Sequence, residues 1–207
     1  MMSEKQALSD AEQRHAEKMR KKQAAHNRIV AAKTIEKGLL IVHTGSGKGK
    51  TTAALGMVMR AIGHGKKVGI VQFVKGVMAT GEKALLEALP GRVEFKRMGE
   101  GFTWDTQDRA RDIDAARGAW SEVVRMIGDP SYDLVLADEL NIVLRHDYLP
   151  LDEVLSVLMA KPSMQHVIVT GRNAPQALIE AADLVTEMTL VKHPFRAGVK
   201  AQAGIEF

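Results

Sequence analysis

Leu39-Leu40-Ile41-Val42-His43-Thr44-Gly45-Ser46-Gly47-Lys48-Gly49-Lys50-Thr51-Thr52-Ala53-Ala54-Leu55-Gly56-Met57-Val58 joins an apolar run, a glycine-rich turn and a helix-compatible stretch without interruption. Strand, flexible turn and helix in that order form the setting a phosphate-cradling loop needs. Glycines let the backbone curl so that several N–H groups converge on one anion. The helix behind adds the positive end of its dipole. Lys50 supplies a point charge for phosphate, and the Thr51 hydroxyl can hold magnesium. The generic spacing places glycine where this chain has Thr44, but Gly49-Lys50-Thr51 is intact and Gly45 and Gly47 keep the turn flexible. A lysine beside a chance glycine-rich turn is the alternative, and the flanking strand and helix speak against it. The expected ligand is a polyphosphate, most simply a nucleotide.

Working outward, 207 residues suit one α/β domain with an extension. The apolar fraction of 45% and charged fraction of 26% are ordinary for a globular chain. A formal charge of +4 fits an anionic ligand without demanding nucleic acid. The absence of cysteine excludes disulfides and thiolate metal sites, and agrees with a reducing compartment. Met1-Met2-Ser3-Glu4-Lys5-Gln6 leads into a polar segment, with no secretory pattern and no apolar run of bilayer length. The expectation is a soluble, cytoplasmic protein with no membrane partner.

Residues 1–37 stand apart as a basic arm. They lack Gly and Pro and are rich in Ala, Gln, Glu, Lys and Arg, which favours helix. Ile29, Val30 and Ile35 give only a weak apolar face, and Lys18-Met19-Arg20-Lys21-Lys22 concentrates positive charge. Such an arm is either solvated or disordered, or a lid or partner-binding helix that orders over the anionic site. Residues 38–207 then alternate. Strands are expected at 39–43, 68–73, 93–95, 134–137 and 167–169, with a last one over 184–185 and 188–191. Helices are expected from the loop to Gly63, over 82–89, 106–127 with Asp105 as N-cap, 151–159 behind Pro150, and after Asn173 as cap. Apolar strands without clean polar alternation, separated by helices, predict an α/β fold: a mostly parallel sheet with helices on both faces. Ligands of such sheets sit at the carboxyl ends of the strands.

Tyr132-Asp133-Leu134-Val135-Leu136-Ala137-Asp138-Glu139 is an apolar strand closing on two acids. At a strand end, Asp138 or Glu139 could assist Thr51 in holding magnesium; the same acids could merely decorate a helix start. These motifs leave kinase, ATPase, ligase and motor chemistry open. His43, His64, His146, His166 and His193 are scattered, without catalytic spacing.

Several stretches taken together resemble the bacterial ATP:corrinoid adenosyltransferases. They are the loop at 44–52, Arg60-Ala61-Ile62-Gly63-His64-Gly65, Val71-Gln72-Phe73-Val74-Lys75-Gly76 and Gly101-Phe102-Thr103-Trp104. Asp138-Glu139-Leu140, Asp147-Tyr148-Leu149-Pro150-Leu151 and Thr170-Gly171-Arg172 follow in the family's order. Val191-Lys192-His193-Pro194-Phe195 and Ala197-Gly198-Val199-Lys200-Ala201-Gln202 complete the series.

The resemblance implies a RecA-like P-loop fold, a homodimer, and transfer of the 5′-deoxyadenosyl group of ATP to the cobalt of a reduced corrinoid, with release of triphosphate. The nucleotide would lie reversed in its loop, its sugar towards the corrinoid. Gly45, Ser46, Gly47, Lys48, Gly49, Lys50, Thr51 and Thr52 would hold the triphosphate, with Arg60 as a further phosphate contact. Thr51, with Asp138 or Glu139, would hold Mg2+. Phe102 and Trp104 match the aromatic pair that packs under the corrin ring and displaces the lower axial ligand, which eases reduction of Co(II). The arm matches a helix that closes over the corrinoid, and a reduced flavoprotein would supply electrons. Ser46 stands where the family's loop carries asparagine, so contacts of that amide do not transfer. Nucleic-acid binding through the arm is disfavoured, because Glu4, Asp10, Glu12, Glu17 and Glu36 interrupt its cations.

Overall fold

A computed structural model describes residues 4–74, 81–89, 91–98 and 108–205. The chain divides into two units, residues 1–36 and 37–207. The first is the helix α1, Glu4–Ala31. Its described side chains are almost all exposed, and Glu17 and Lys21 pair at 2.7 Å one turn apart. Composition and i,i+4 pairs sustain such a helix without a core.

The second unit alternates. β1 (Leu40–Thr44) leads through the loop to α2 (Lys50–Gly63), then β2 (Val68–Gln72), α3 (Gly81–Glu87) and β3 (Val93–Arg97). α4 (Arg109–Gly128), β4 (Leu134–Asp138), α5 (Leu140–Arg145), α6 (Leu151–Met159), β5 (His166–Thr170), α7 (Gln176–Ala181) and β6 (Leu184–Glu187) follow. The strands form one sheet in the order β3-β2-β4-β5-β1-β6, every pair parallel.

Every residue of β1, β2 and β4 is buried, as a sheet covered on both faces requires. Successive residues still point to opposite faces. Val42, Val135, Val167 and Val169 meet Trp120 and Val123 of α4, Leu158 of α6 and Leu178 of α7. Ile41, Leu136 and Ile168 meet Leu55 and Val58 of α2 and Leu86 of α3. Two cores, one on each face, therefore fix the strand ends that carry the polar residues.

Several boundaries depart from expectation, and α5 is a helix that the sequence reading lacks. α4 starts at Arg109, and Asp108 caps it by accepting from the N–H groups of Ala110 and Arg111 at 3.1 and 3.2 Å; Asp105, the expected cap, lies outside the described residues. Asn173 does not cap α7, whose N-cap is Pro175; Asn173 takes a left-handed φ of 56°, and the next N–H, of Ala174, donates to Thr44 Oγ1 at 3.0 Å. β3 runs to Arg97. β6 stops at Glu187, because Met188 is drawn onto the loop: its N–H donates to the Thr44 carbonyl at 2.9 Å, and its carbonyl accepts from Gly47 at 2.6 Å. Among the described residues no helix is long and apolar enough to cross a membrane.

Candidate functional site

The loop owes its shape to its glycines. Gly45 has φ 98°, and a Cβ there would lie 2.4 Å from the Met188 carbonyl oxygen. Gly49, with φ 106°, ends the loop as the N-cap of α2 and offers no side chain to that helix end. The first turn of α2 carries no acid either. Its leading N–H groups have no partner within the helix by construction. Neither the N-cap nor the first turn of α2 supplies a side chain to them, so a ligand can meet their partial positive charge.

Lys50 is buried at the root of this turn, 6% exposed. Its ammonium donates to the Gly45 carbonyl at 2.9 Å and the Gly47 carbonyl at 2.5 Å. Burial pushes its pKa below the ordinary lysine value; Glu139 works against that shift, and Arg172 and Lys48 add to it. The His43 ring approaches the Lys50 carbonyl at 3.3 Å and so braces the same residue from β1. Ser46, Lys48 and Thr52 are exposed. Thr44, the departure from the generic spacing, ties the loop's entry to the segment after β5 through its bond from Ala174.

Facing the loop is a cavity of about 620 Å³, lined among others by Lys48, Lys50, Thr51, Asp138, Glu139 and Arg172. Its size is that of a small-molecule site. Thr51 Oγ1 donates to Asp138 Oδ1 at 2.9 Å, so the end of β4 is brought to the first turn of α2. Asp138 is 2% exposed. Glu139 follows in the left-handed region, φ 64°, and starts α5.

These groups fit magnesium. A hydroxyl and carboxylates are hard oxygen donors, and magnesium keeps waters and phosphate oxygens as its remaining ligands. Among the described residues no cluster of three or more His, Asp or Glu side chains could hold a metal alone. A cation here would thus depend on an anionic ligand for most of its coordination.

The structure brings Gly47, Lys48, Gly49, Lys50, Thr51, Thr52, Asp138 and Glu139 to one cavity. Gly45 and Ser46 complete the turn. Arg60 is not among the residues that line this cavity. It sits exposed on the last turn of α2, and ten residues of helix place it about 15 Å along the axis from Lys50. An arginine side chain does not reach back that far, so the helix that presents Lys50 to the loop carries Arg60 away from it. Phe102 and Trp104 lie outside the described residues. Sequence reasoning quoted Arg172, Gln72 and Thr170 within matching stretches but gave no role to Arg172 on the cavity wall or to Gln72 and Thr170 beside Asp138. The signal was the one that exposed Asp138: a polar residue closing an apolar strand.

Comparison with known proteins gives three findings. The family model for ATP:corrinoid adenosyltransferase BtuR/CobO/CobP matches residues 36–207. A protein of Pseudomonas aeruginosa named corrinoid adenosyltransferase is 54% identical over 198 residues, covering 96% of this chain and 98% of its own; one of Sinorhizobium sp with the same name is 57% identical over 196 residues, covering 94% and 92%. Among solved structures, flagellar accessory protein FlaH from Methanocaldococcus jannaschii superposes with a TM-score of 0.50 at 12% identity, covering 75% of this chain and 73% of its own, a likeness of fold alone.

Proposed function

The chain belongs to the ATP:corrinoid adenosyltransferase family, an enzyme family that transfers the adenosyl group of ATP to a corrinoid, and from that premise we propose how its own residues serve the reaction. The triphosphate of ATP lies in the cavity at the start of α2, in the loop from Gly45 to Thr52. The observation that carries this reading is the combination of a helix start without a side-chain cap and buried Lys50 facing a cavity of about 620 Å³.

The reaction then needs little covalent help from the protein. Co(I) gives an electron pair to the ribose C5′, the C5′–O bond breaks, cobalt is formally oxidised by two electrons, and triphosphate leaves with the bonding pair. Catalysis is positioning together with stabilisation of the departing anion. Lys50, Lys48 and the leading N–H groups of α2 face the charge that grows there. Arg172, on the same wall, adds a fourth positive element. Magnesium, held by Thr51 with Asp138 or Glu139, would offset the remaining negative charge.

Other parts of the reading rest on the resemblance alone. By that resemblance Phe102 and Trp104 would serve the corrin ring, the arm of residues 1–37 would be its lid, and a flavoprotein would supply electrons. The working form is a cytoplasmic homodimer.

Anaerobic turnover with ATP and chemically reduced cobalamin tests the proposal. The expected products are triphosphate and an alkylated corrinoid with the visible spectrum of a cobalt–carbon bond. ADP with no new cobalt–carbon bond would mean that the loop serves γ-phosphate cleavage instead.

A further inference from the structure

Asp138 ends β4 between two neighbours that both reach it. Register sets Gln72 of β2 directly beside it, and sets Val169 of β5 beside Ala137, which carries Thr170 level with Asp138. Three side chains donate to the carboxylate. Thr51 and Thr170 reach Oδ1 at 2.9 and 2.7 Å, and Gln72 reaches Oδ2 at 3.0 Å.

Thr170 makes a second bond as well. Its Oγ1 accepts the backbone N–H of Glu139 at 2.9 Å. A hydroxyl has one hydrogen and two lone pairs, so it can donate to Asp138 and accept from Glu139 together. Glu139 needs such support: it is a non-glycine residue at φ 64°, ψ 19°. A residue persists there only when its surroundings over-determine it. Thr170 is itself fully buried, at 0% exposure. The strand that bears it lies between β1, which feeds the loop, and β4, which carries the acids.

We propose that Thr170 is a positioning residue of the nucleotide site: its single hydroxyl locks the Asp138 carboxylate, which Thr51 also touches, to the peptide that aims Glu139 at the cavity. The inference rests on the reading of that cavity as the seat of magnesium and ATP. It assigns to β5 a role beyond filling the sheet. The middle strand holds both acids in one fixed relation to the loop, so that a cation added with the nucleotide meets a prepared set of oxygens. Supporting groups of this kind are worth tenfold to a hundredfold in metal affinity or activity.

Calorimetric titration with ATP, with and without magnesium, separates this role from packing. In the wild type, magnesium should tighten ATP binding. Thr170→Val keeps the shape of the side chain and suits a strand, but has no hydroxyl. It should bind magnesium-free ATP as the wild type does, and lose about tenfold or more of the tightening that magnesium brings. Thr170→Ser restores the hydroxyl and should recover that gain to within about twofold of wild type, well short of the loss expected for valine.

A valine variant with the full magnesium effect would overturn the proposal, as would a serine variant as impaired as valine. Equal weakening with and without magnesium would reduce Thr170 to a packing residue and overturn it too. A wild-type protein whose ATP affinity ignores magnesium would instead overturn the underlying reading of the cavity. If ligand-free melting shows that the valine variant is not folded, Thr170→Ala is held to the same criteria.

Discussion

At the scale of single residues, Lys50 is the one whose environment says most. An ammonium withdrawn from water and folded onto two loop carbonyls is costly in isolation and well placed to meet an anion. Lys50→Ala should reduce ATP affinity and turnover at least a hundredfold while leaving ligand-free melting nearly unchanged; unimpaired turnover would show that the loop is not the phosphate site. Its pKa direction also sets a pH dependence. Because burial lowers the pKa from the ordinary 10.5, the ligand-free protein loses this positive charge earlier on the alkaline side than a surface lysine would. ATP affinity should therefore fall as pH rises through that lowered value, and Lys50→Arg, which stays charged, should remove the alkaline decline in whatever affinity it retains. Titrations across the alkaline range check both. Asp138→Asn places an amide among three donors that expect a carboxylate. The expected outcome is a tenfold to hundredfold loss in the magnesium-dependent part of ATP binding, roughly the effect of losing an orienting group at a metal site.

At the scale of elements, the fold places its strain where strand ends turn into helices. Gly171, just beyond β5, has φ 127°, and a Cβ there would lie 2.8 Å from the Asn141 Cβ and 3.1 Å from a Glu139 carboxylate oxygen. Gly171→Ala should lower stability by about 1–3 kcal/mol from backbone strain and close contact. It should also disturb ATP binding, since the displaced side chain is Glu139; denaturant unfolding and the ATP titration read the two effects apart. The opposite end of the sheet has its own clamp. Asp183 accepts from the Lys37 ammonium and from the Leu40 N–H at 3.0 Å, which ties the entry of β1 to the entry of β6. The Lys37 hydrogen bond, then that of Leu40, holds its carboxyl below the ordinary 3.8. A depressed carboxylate gives stability that is present above the unfolded value and is lost as pH falls through the folded one. Asp183→Asn should therefore flatten the acid limb of the stability curve below about pH 4, measured by denaturant unfolding at graded pH.

At the scale of the whole molecule, the division at residues 36 and 37 separates a helix with no core of its own from a domain with two. A chain shortened to residues 33–207 should melt within a few degrees of the full chain and bind ATP with unchanged affinity. If the arm is the corrinoid lid, the same chain should lose most of its turnover with corrinoid. Equal turnover in the two chains would remove the lid from the proposal without touching the nucleotide site. The sheet's β6 edge leaves Leu184 and Val185 partly exposed, at 40% and 36%. The homodimer of the proposed working form is open to sedimentation.

How much of this was legible beforehand follows from distance along the chain. The loop, α2 and the start of the site are encoded within about a dozen neighbouring residues, so glycine spacing and the lysine–threonine pair announced them. Apolar runs without polar alternation at β1, β4 and β5 made the parallel sheet readable. Chain ends of elements were harder. The cap of α4 at Asp108 was not expected from the sequence, and its reach to the N–H groups of Ala110 and Arg111 shows it. Met188 to Val191 has the composition of a strand, yet the Thr44 carbonyl and the Gly47 N–H claim Met188 for the loop.

The sequence by itself determined that a phosphate-gripping turn opens a helix at Lys50, and that acids close a buried strand at Asp138, because local backbone geometry and hydrophobic periodicity act between near neighbours. Only the tertiary structure decided which distant residues share that site. Thr51 meets Asp138 across 87 positions, Gln72 meets it across 66 and Thr170 across 32. Strand order sets those meetings, and it is not written in the spacing of residues along a chain.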